Sequence, residues 1–214
     1  MDKTPIIIAA GEPNSIFLEI FFKSLKNHNY KSPLILIASK KLTQEQMKKL
    51  GFTFEINLIN KNFKNFKKLN NKKINLINVN YKFKKCFEKI SSKSNNYIKE
   101  SFKIAIKIIM ENKFSKFING PVSKKYFLKG KSLGITEYLA KKTKKNNDVA
   151  MLIFNKKLSV SPITTHLPLK DVNKHITKKK IYTQAILISE FYKKRFKKNP
   201  RIAITGLNPH CESN

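Results

Sequence analysis

The sequence predicts an α/β protein built on a largely parallel sheet with flanking helices. Three observations carry this. Short β-branched or apolar runs, such as Ile6 to Ala10, Leu34 to Ala38 and Ile74 to Val79, alternate with longer helical patterns. The run Ile6 to Ala10 is apolar throughout rather than alternating, as a strand buried on both faces is. The 214 residues, 41% of them hydrophobic, suffice for one sizeable domain or two small ones, and no repeat or Pro/Gly/Ser-rich boundary divides them.

The elements follow in order. After the first strand, Gly11-Glu12-Pro13-Asn14-Ser15 turns the chain, and Asn14 or Ser15 is placed to cap a helix through about Asn27 with Ile16, Ile20 and Phe21 on one face. Leu34 to Ala38 is the second strand, and Thr43 to Leu50 a short helix closed by Gly51. Strands near Phe54 to Leu58 and Ile74 to Val79 flank a loop rich in Lys and Asn. A long helix spans Asn96 to Asn112, with Ile98, Phe102, Ala105 or Ile106, and Ile109 as its apolar stripe. Phe117 to Asn119 is a strand, Gly120-Pro121 a turn, and a helical segment starts at Val122. Thr136 can cap a helix through Lys145, while Val149 to Phe154 and Leu158 to Ser161 suit a hairpin. A helix from Thr177 to Phe196 and a last strand, Ile202 to Thr205, complete the chain.

Charge narrows the function classes. The 45 basic against 13 acidic residues give a formal +32, which would suit a nucleic acid or an anionic membrane. Only Arg195 and Arg201 are arginine, however, and recognition of phosphates and base edges favours the forked guanidinium. The lysines are scattered and travel with Asn, Ile and Phe, a pattern of drift toward A/T-rich codons. The densest runs, Lys141 to Lys145, Lys178 to Lys180 and Lys193 to Lys198, read as solvated faces or helix ends. No specific nucleic-acid partner is therefore expected, although a positive field would still draw a phosphorylated substrate. Cys86 and Cys211 make a disulfide framework unexpected. With no signal peptide and no apolar run long enough to span a bilayer, the expectation is a cytoplasmic protein without a membrane partner.

Unusual phrases recur just after predicted strands, where open α/β sheets bind ligands. They are Gly11-Glu12-Pro13, Asn119-Gly120-Pro121-Val122-Ser123-Lys124, Thr164-Thr165-His166 and Asn208-Pro209-His210. His166 and His210 are candidate metal ligands, because neutral imidazole binds zinc and similar ions and catalytic sites commonly keep one coordination position open for substrate. His28 and His175 sit in polar surroundings and read as solvated. Convergent loops bearing two His, a Lys, a Glu and several hydroxyls suit a metal and an anionic substrate, and Glu12, Asn119 and Lys124 are candidate pocket residues.

As a set, Gly11-Glu12-Pro13, Gly120-Pro121-Val122-Ser123-Lys124, Gly134-Ile135-Thr136-Glu137, Thr164-Thr165-His166-Leu167-Pro168-Leu169 and Gly206-Leu207-Asn208-Pro209-His210 resemble the 4-hydroxythreonine-4-phosphate dehydrogenase family of pyridoxal phosphate synthesis. The resemblance runs across essentially the whole chain. It implies an isocitrate/isopropylmalate-dehydrogenase-like fold with a smaller dimerisation and metal-site subdomain. Residues 1–214 would form the N-terminal and central part of one dehydrogenase unit with two interleaved α/β subdomains, incomplete at the C-terminus. It further implies a homodimer and one divalent metal (Zn, Mg, Mn or Co) held by three histidines, two of them His166 and His210, with the third beyond Asn214. Thr136 maps onto a substrate contact. The implied reaction oxidises the C3 hydroxyl of 4-hydroxythreonine 4-phosphate with NAD, or NADP, and decarboxylates the product to 3-amino-2-oxopropyl phosphate. The six dispersed glycines form no G-x-G-x-x-G turn, so NAD would be bound differently, largely by later sequence.

The chain also departs from the family pattern. Ile135 stands where the family has histidine, Ser15 and Phe17 where it has glycines, and Cys211-Glu212-Ser213 where it has Ala-Gly-Glu. Ile135 leaves open a related dehydrogenase of phosphorylated threonate or erythronate. Two readings of another kind are an inactive fragment and a non-catalytic polyanion binder.

Overall fold

The computed structural model describes residues 3–129, 134–144 and 149–206. The chain divides into two compact units, Met1–Ser132 and Leu133–Asn214.

Five parallel strands form the sheet of the first unit: β1 (Ile6–Ala9), β2 (Leu34–Ala38), β3 (Ile56–Leu58), β4 (Ile74–Asn78) and β5 (Phe117–Asn119), in the order β3-β4-β2-β1-β5. Register is fixed by pairs such as Ile8↔Leu36, Ile8↔Ile118 and Leu36↔Leu76. β2 is buried along its whole length, which explains its unbroken apolar sequence. Helices α1 (Phe17–Asn27) and α2 (Lys40–Lys49) alternate with the first strands, and Leu18, Phe21, Phe22 and Met47 form one core cluster with Ile8, Leu36 and Leu76. α3 (Asn95–Asn112) packs against β1 and β2, burying Ile98, Phe102, Ala105 and Ile108. The α/β class and parallel sheet expected from the sequence are thus present.

Several local expectations change. The buried stripe of α1 is Leu18, Phe21 and Phe22, whereas Ile16 and Ile20 face solvent; spacing of three and four residues selects the first set. α2 starts three residues before Thr43 because the Ser39 side chain accepts from the Leu42 amide and caps it. The segment after Gly120-Pro121 winds as a short π-helix, Lys124–Leu128, capped by Ser123.

In the second unit, α4 (Ile135–Lys142) has Gly134, not Thr136, at its N-cap. Thr136 lies inside the first turn and is exposed. The predicted hairpin is reduced to one antiparallel bridge, Ile153↔Val160. After α5 (Leu169–Val172), α6 (Lys178–Phe196) begins where predicted, with the Thr177 side chain accepting from the Lys180 amide. Residues 202–205 form no strand and expose Ile202 and Ile204. A strand needs a ladder partner, and these residues have none among the described residues.

Candidate active site

The winding of the sheet places the first group of candidate residues. β2 lies on one side of β1 and β5 on the other, so the carboxyl ends of β1 and β5 mark the point where strand order reverses, the position at which open α/β sheets leave a ligand crevice. Gly11-Glu12-Pro13 follows β1 and Gly120-Pro121 follows β5. The two loops are tied backbone to backbone: Gly120 N–H donates to Ala9 O at 2.8 Å and Glu12 N–H to Pro121 O at 2.8 Å. Glycine is required on both sides. A methyl at Gly120 would lie 2.0 Å from Ala10 O, and one at Gly11, whose φ is +72°, would lie 2.5 Å from Pro121 O.

Glu12 is buried at 2% exposure, and its Oε2 accepts from Ser94 Oγ at 2.8 Å. The Gln46 side-chain amide donates to Pro13 O at 2.9 Å, fastening the same loop to α2. Tyr81 and Tyr97 stack nearby at 5.1 Å; burial pushes both hydroxyls above the usual tyrosine range, and the Glu12 charge adds to the effect. Glu12 is therefore an anchored acceptor within the loop. Asn119 donates its side-chain amide to Gly120 O at 3.1 Å, and Lys124 is exposed at the start of the π-helix. Ser94 and Gln46 carry no motif signature; only their burial marks them.

The second group lies in the second unit. Among the described residues, non-glycine positions with positive φ are Lys113, Lys129, Lys144, Lys197 and His166. The four lysines terminate helical segments, where a left-handed residue is ordinary. His166, at φ 56°, does not: it stands exposed in the loop of Thr164-Thr165-His166. Backbone strain of this kind is held only where its surroundings enforce it, and it concentrates at functional sites. The imidazole faces the start of α4. A methyl at Gly134 would lie 3.7 and 3.8 Å from His166 Cδ2 and Nε2, and 2.9 Å from Glu137 Oε2. Glu137 Oε1 accepts from Thr165 Oγ1 at 3.4 Å. Two phrases distant in sequence, Gly134-Ile135-Thr136-Glu137 and Thr164-Thr165-His166, thus form one cluster.

No group of three or more His, Cys, Asp or Glu suited to a metal occurs among the described residues, and His210 lies outside them. His166 provides one imidazole with a carboxylate beside it, donor chemistry that fits one arm of a metal site.

The family model described as pyridoxal phosphate biosynthetic protein PdxA matches residues 29–214. The chain belongs to this family. A 4-hydroxythreonine-4-phosphate dehydrogenase from Sulfurihydrogenibium sp. (strain YO3AOP1) is 33% identical over 98% of this chain and 64% of its own length. A solved chain from Salmonella typhimurium superposes with a TM-score of 0.83 at 24% identity, over 100% of this chain and 66% of its own. 4-Hydroxythreonine-4-phosphate dehydrogenase from Klebsiella pneumoniae gives 0.76 at 24% identity, over 97% and 65%. These likenesses establish the PdxA fold over a chain that spans just under two thirds of its relatives' length.

Proposed function

We propose that this chain contributes the N-terminal and central part of a 4-hydroxythreonine-4-phosphate dehydrogenase acting in pyridoxal phosphate biosynthesis. The observation that carries the reading is the strained, exposed His166 beside Thr136 and Glu137, a cluster assembled from two motif phrases of the family to which the chain belongs.

In this reading the C3 hydroxyl of the substrate is oxidised, its hydride passing to NAD or NADP and its proton to solvent or a base. The resulting β-keto acid loses carbon dioxide, and a proton returns to give 3-amino-2-oxopropyl phosphate. A bound divalent ion, Zn, Mg, Mn or Co, supplies Lewis acidity at the C3 oxygen. His166 offers a neutral imidazole to that ion, with His210 as a second ligand. Thr136, exposed in the first turn of α4, presents its hydroxyl to the substrate. The +32 field draws the doubly anionic phosphate ester, and Lys124 is an exposed ammonium available to it. No described strand end carries a Gly-rich dinucleotide cradle, so the NAD contacts rest on family likeness alone. A homodimer in the cytoplasm belongs to the same reading; exposed Ile153, Phe154 and Leu158 on the second unit support an assembly surface. No helix among the described residues is long and apolar enough to cross a membrane.

The test is NADH formation from 4-hydroxythreonine 4-phosphate with divalent metal and NAD. A rate no higher than that of the metal-free or His166→Ala control overturns the reading. A second substrate has specific support: Ile135 replaces a histidine of the family pattern, and a relative from Oceanobacillus iheyensis, 28% identical over 100% of this chain, is provisionally named for D-threonate 4-phosphate. A higher kcat/KM on D-threonate 4-phosphate would select that substrate.

A further inference from the structure

Glu137 Oε2 is buried and has no hydrogen-bond partner among the described residues. A buried carboxylate oxygen without a donor is costly, about 1–3 kcal/mol or more for a charged group, and demands an explanation. Helix capping does not supply one. Glu137 is the third residue of α4, from which a capping-box carboxylate would accept from the Gly134 amide, yet Gly134 donates nothing to it. Its other oxygen is engaged by Thr165, the residue before His166.

Gly134 leaves open the space between the unmatched oxygen and the imidazole. The same point beside its Cα lies 2.9 Å from Oε2 and 3.8 Å from His166 Nε2, so the carboxylate and the Cδ2–Nε2 edge of the ring face one gap that any side chain would fill. Ligating imidazoles almost always give their second N–H to a carboxylate or carbonyl, which fixes the tautomer and the ring orientation. We infer that Glu137 is the positioning residue for His166: its Oε2 accepts from Nε2–H, holds the ring as the Nδ1-unprotonated tautomer, and leaves Nδ1 for the metal. A strained backbone at His166 aims the ring, Thr165 fixes one carboxylate oxygen, and Gly134 keeps the approach clear.

The inference rests on the metal reading above, and the experiment separates the two. Co(II) affinity of the full chain is measured by optical titration for the wild type, His166→Ala, Glu137→Gln and Gly134→Ala, alongside ¹⁵N-imidazole NMR of the metal-free protein at a pH where His166 is neutral. Support is Co(II) affinity about 10- to 100-fold weaker in Glu137→Gln, with His166 shifting from one tautomer to a mixture while the thermal midpoint holds. Gly134→Ala should reproduce the tautomer change by displacing Oε2. Wild-type affinity and tautomer in Glu137→Gln would overturn the inference and leave the metal reading standing. An Nε2-unprotonated His166 in the wild type would overturn it as well. A wild type that binds Co(II) no better than His166→Ala would overturn both.

Discussion

Gly11 and Gly51 share a φ of +72°, but their surroundings differ: Gly11 meets Pro121 O and the Gly120 backbone, whereas nothing lies within 4 Å of Gly51. Alanine at Gly51 should cost only the left-handed conformation, about 1–2 kcal/mol. At Gly11 the obstacle is backbone, which cannot rotate away, so overpacking of about 1–3 kcal/mol is added. Urea midpoints of the two variants should therefore differ, Gly11→Ala being the lower. Equal midpoints would mean the loops after β1 and β5 do not meet as described. The sequence marks Gly11-Glu12-Pro13 as unusual, but it does not show that Glu12 is buried on Ser94, since Ser94 is 82 residues away and lies in no motif. His166 is visible from sequence by its flanking phrase; its left-handed backbone is not, because only the folded surroundings enforce it.

At the scale of elements, capping residues separate structure from function. Ser39 and Thr177 accept from the third amides of their helices, and Ser39→Ala or Thr177→Ala should each lose about 1 kcal/mol of stability. Thr136 sits inside α4 and caps nothing, so Thr136→Ala should stay within about 0.5 kcal/mol of the wild type in a thermal melt while weakening substrate binding. A full capping loss there would return Thr136 to a purely structural role. The same contrast explains which elements the sequence reveals. β2 and β5 have the predicted bounds because their partners lie in the same sheet, and local apolar pattern and global fold agree. Residues 149–161 and 202–205 carry equally β-like sequence yet form one bridge and no strand, because pattern alone provides no ladder partner. Lysine composition also leaves a mark on elements. Lys113 and Lys197 end α3 and α6 in the left-handed conformation that favours glycine. Lys197→Gly should raise stability by about 1 kcal/mol, and an unchanged or lower urea midpoint would refute a strained helix end.

For the whole molecule the open question raised by composition is what the +32 charge does. Lysines at left-handed helix ends occupy positions no polyanion selects, which supports compositional drift rather than a shaped binding face. The described ion pairs are solvent-exposed, such as Lys23–Glu19 and Lys194–Glu190, and contribute about 0–1 kcal/mol each. Most of the excess positive charge therefore remains a diffuse field that salt screens within about 10 Å. Such a field concentrates phosphorylated small molecules near the surface without the forked, oriented donors that grip a duplex. Binding to double-stranded DNA at about 150 mM salt should accordingly be no tighter than about 10⁻⁶ M, the range of purely electrostatic association, and should lack sequence preference. Fluorescence anisotropy over a salt series checks this. A submicromolar Kd at that salt would mean that the lysines are organised into a nucleic-acid surface, and that the dehydrogenase reading leaves a second role of the chain unexplained.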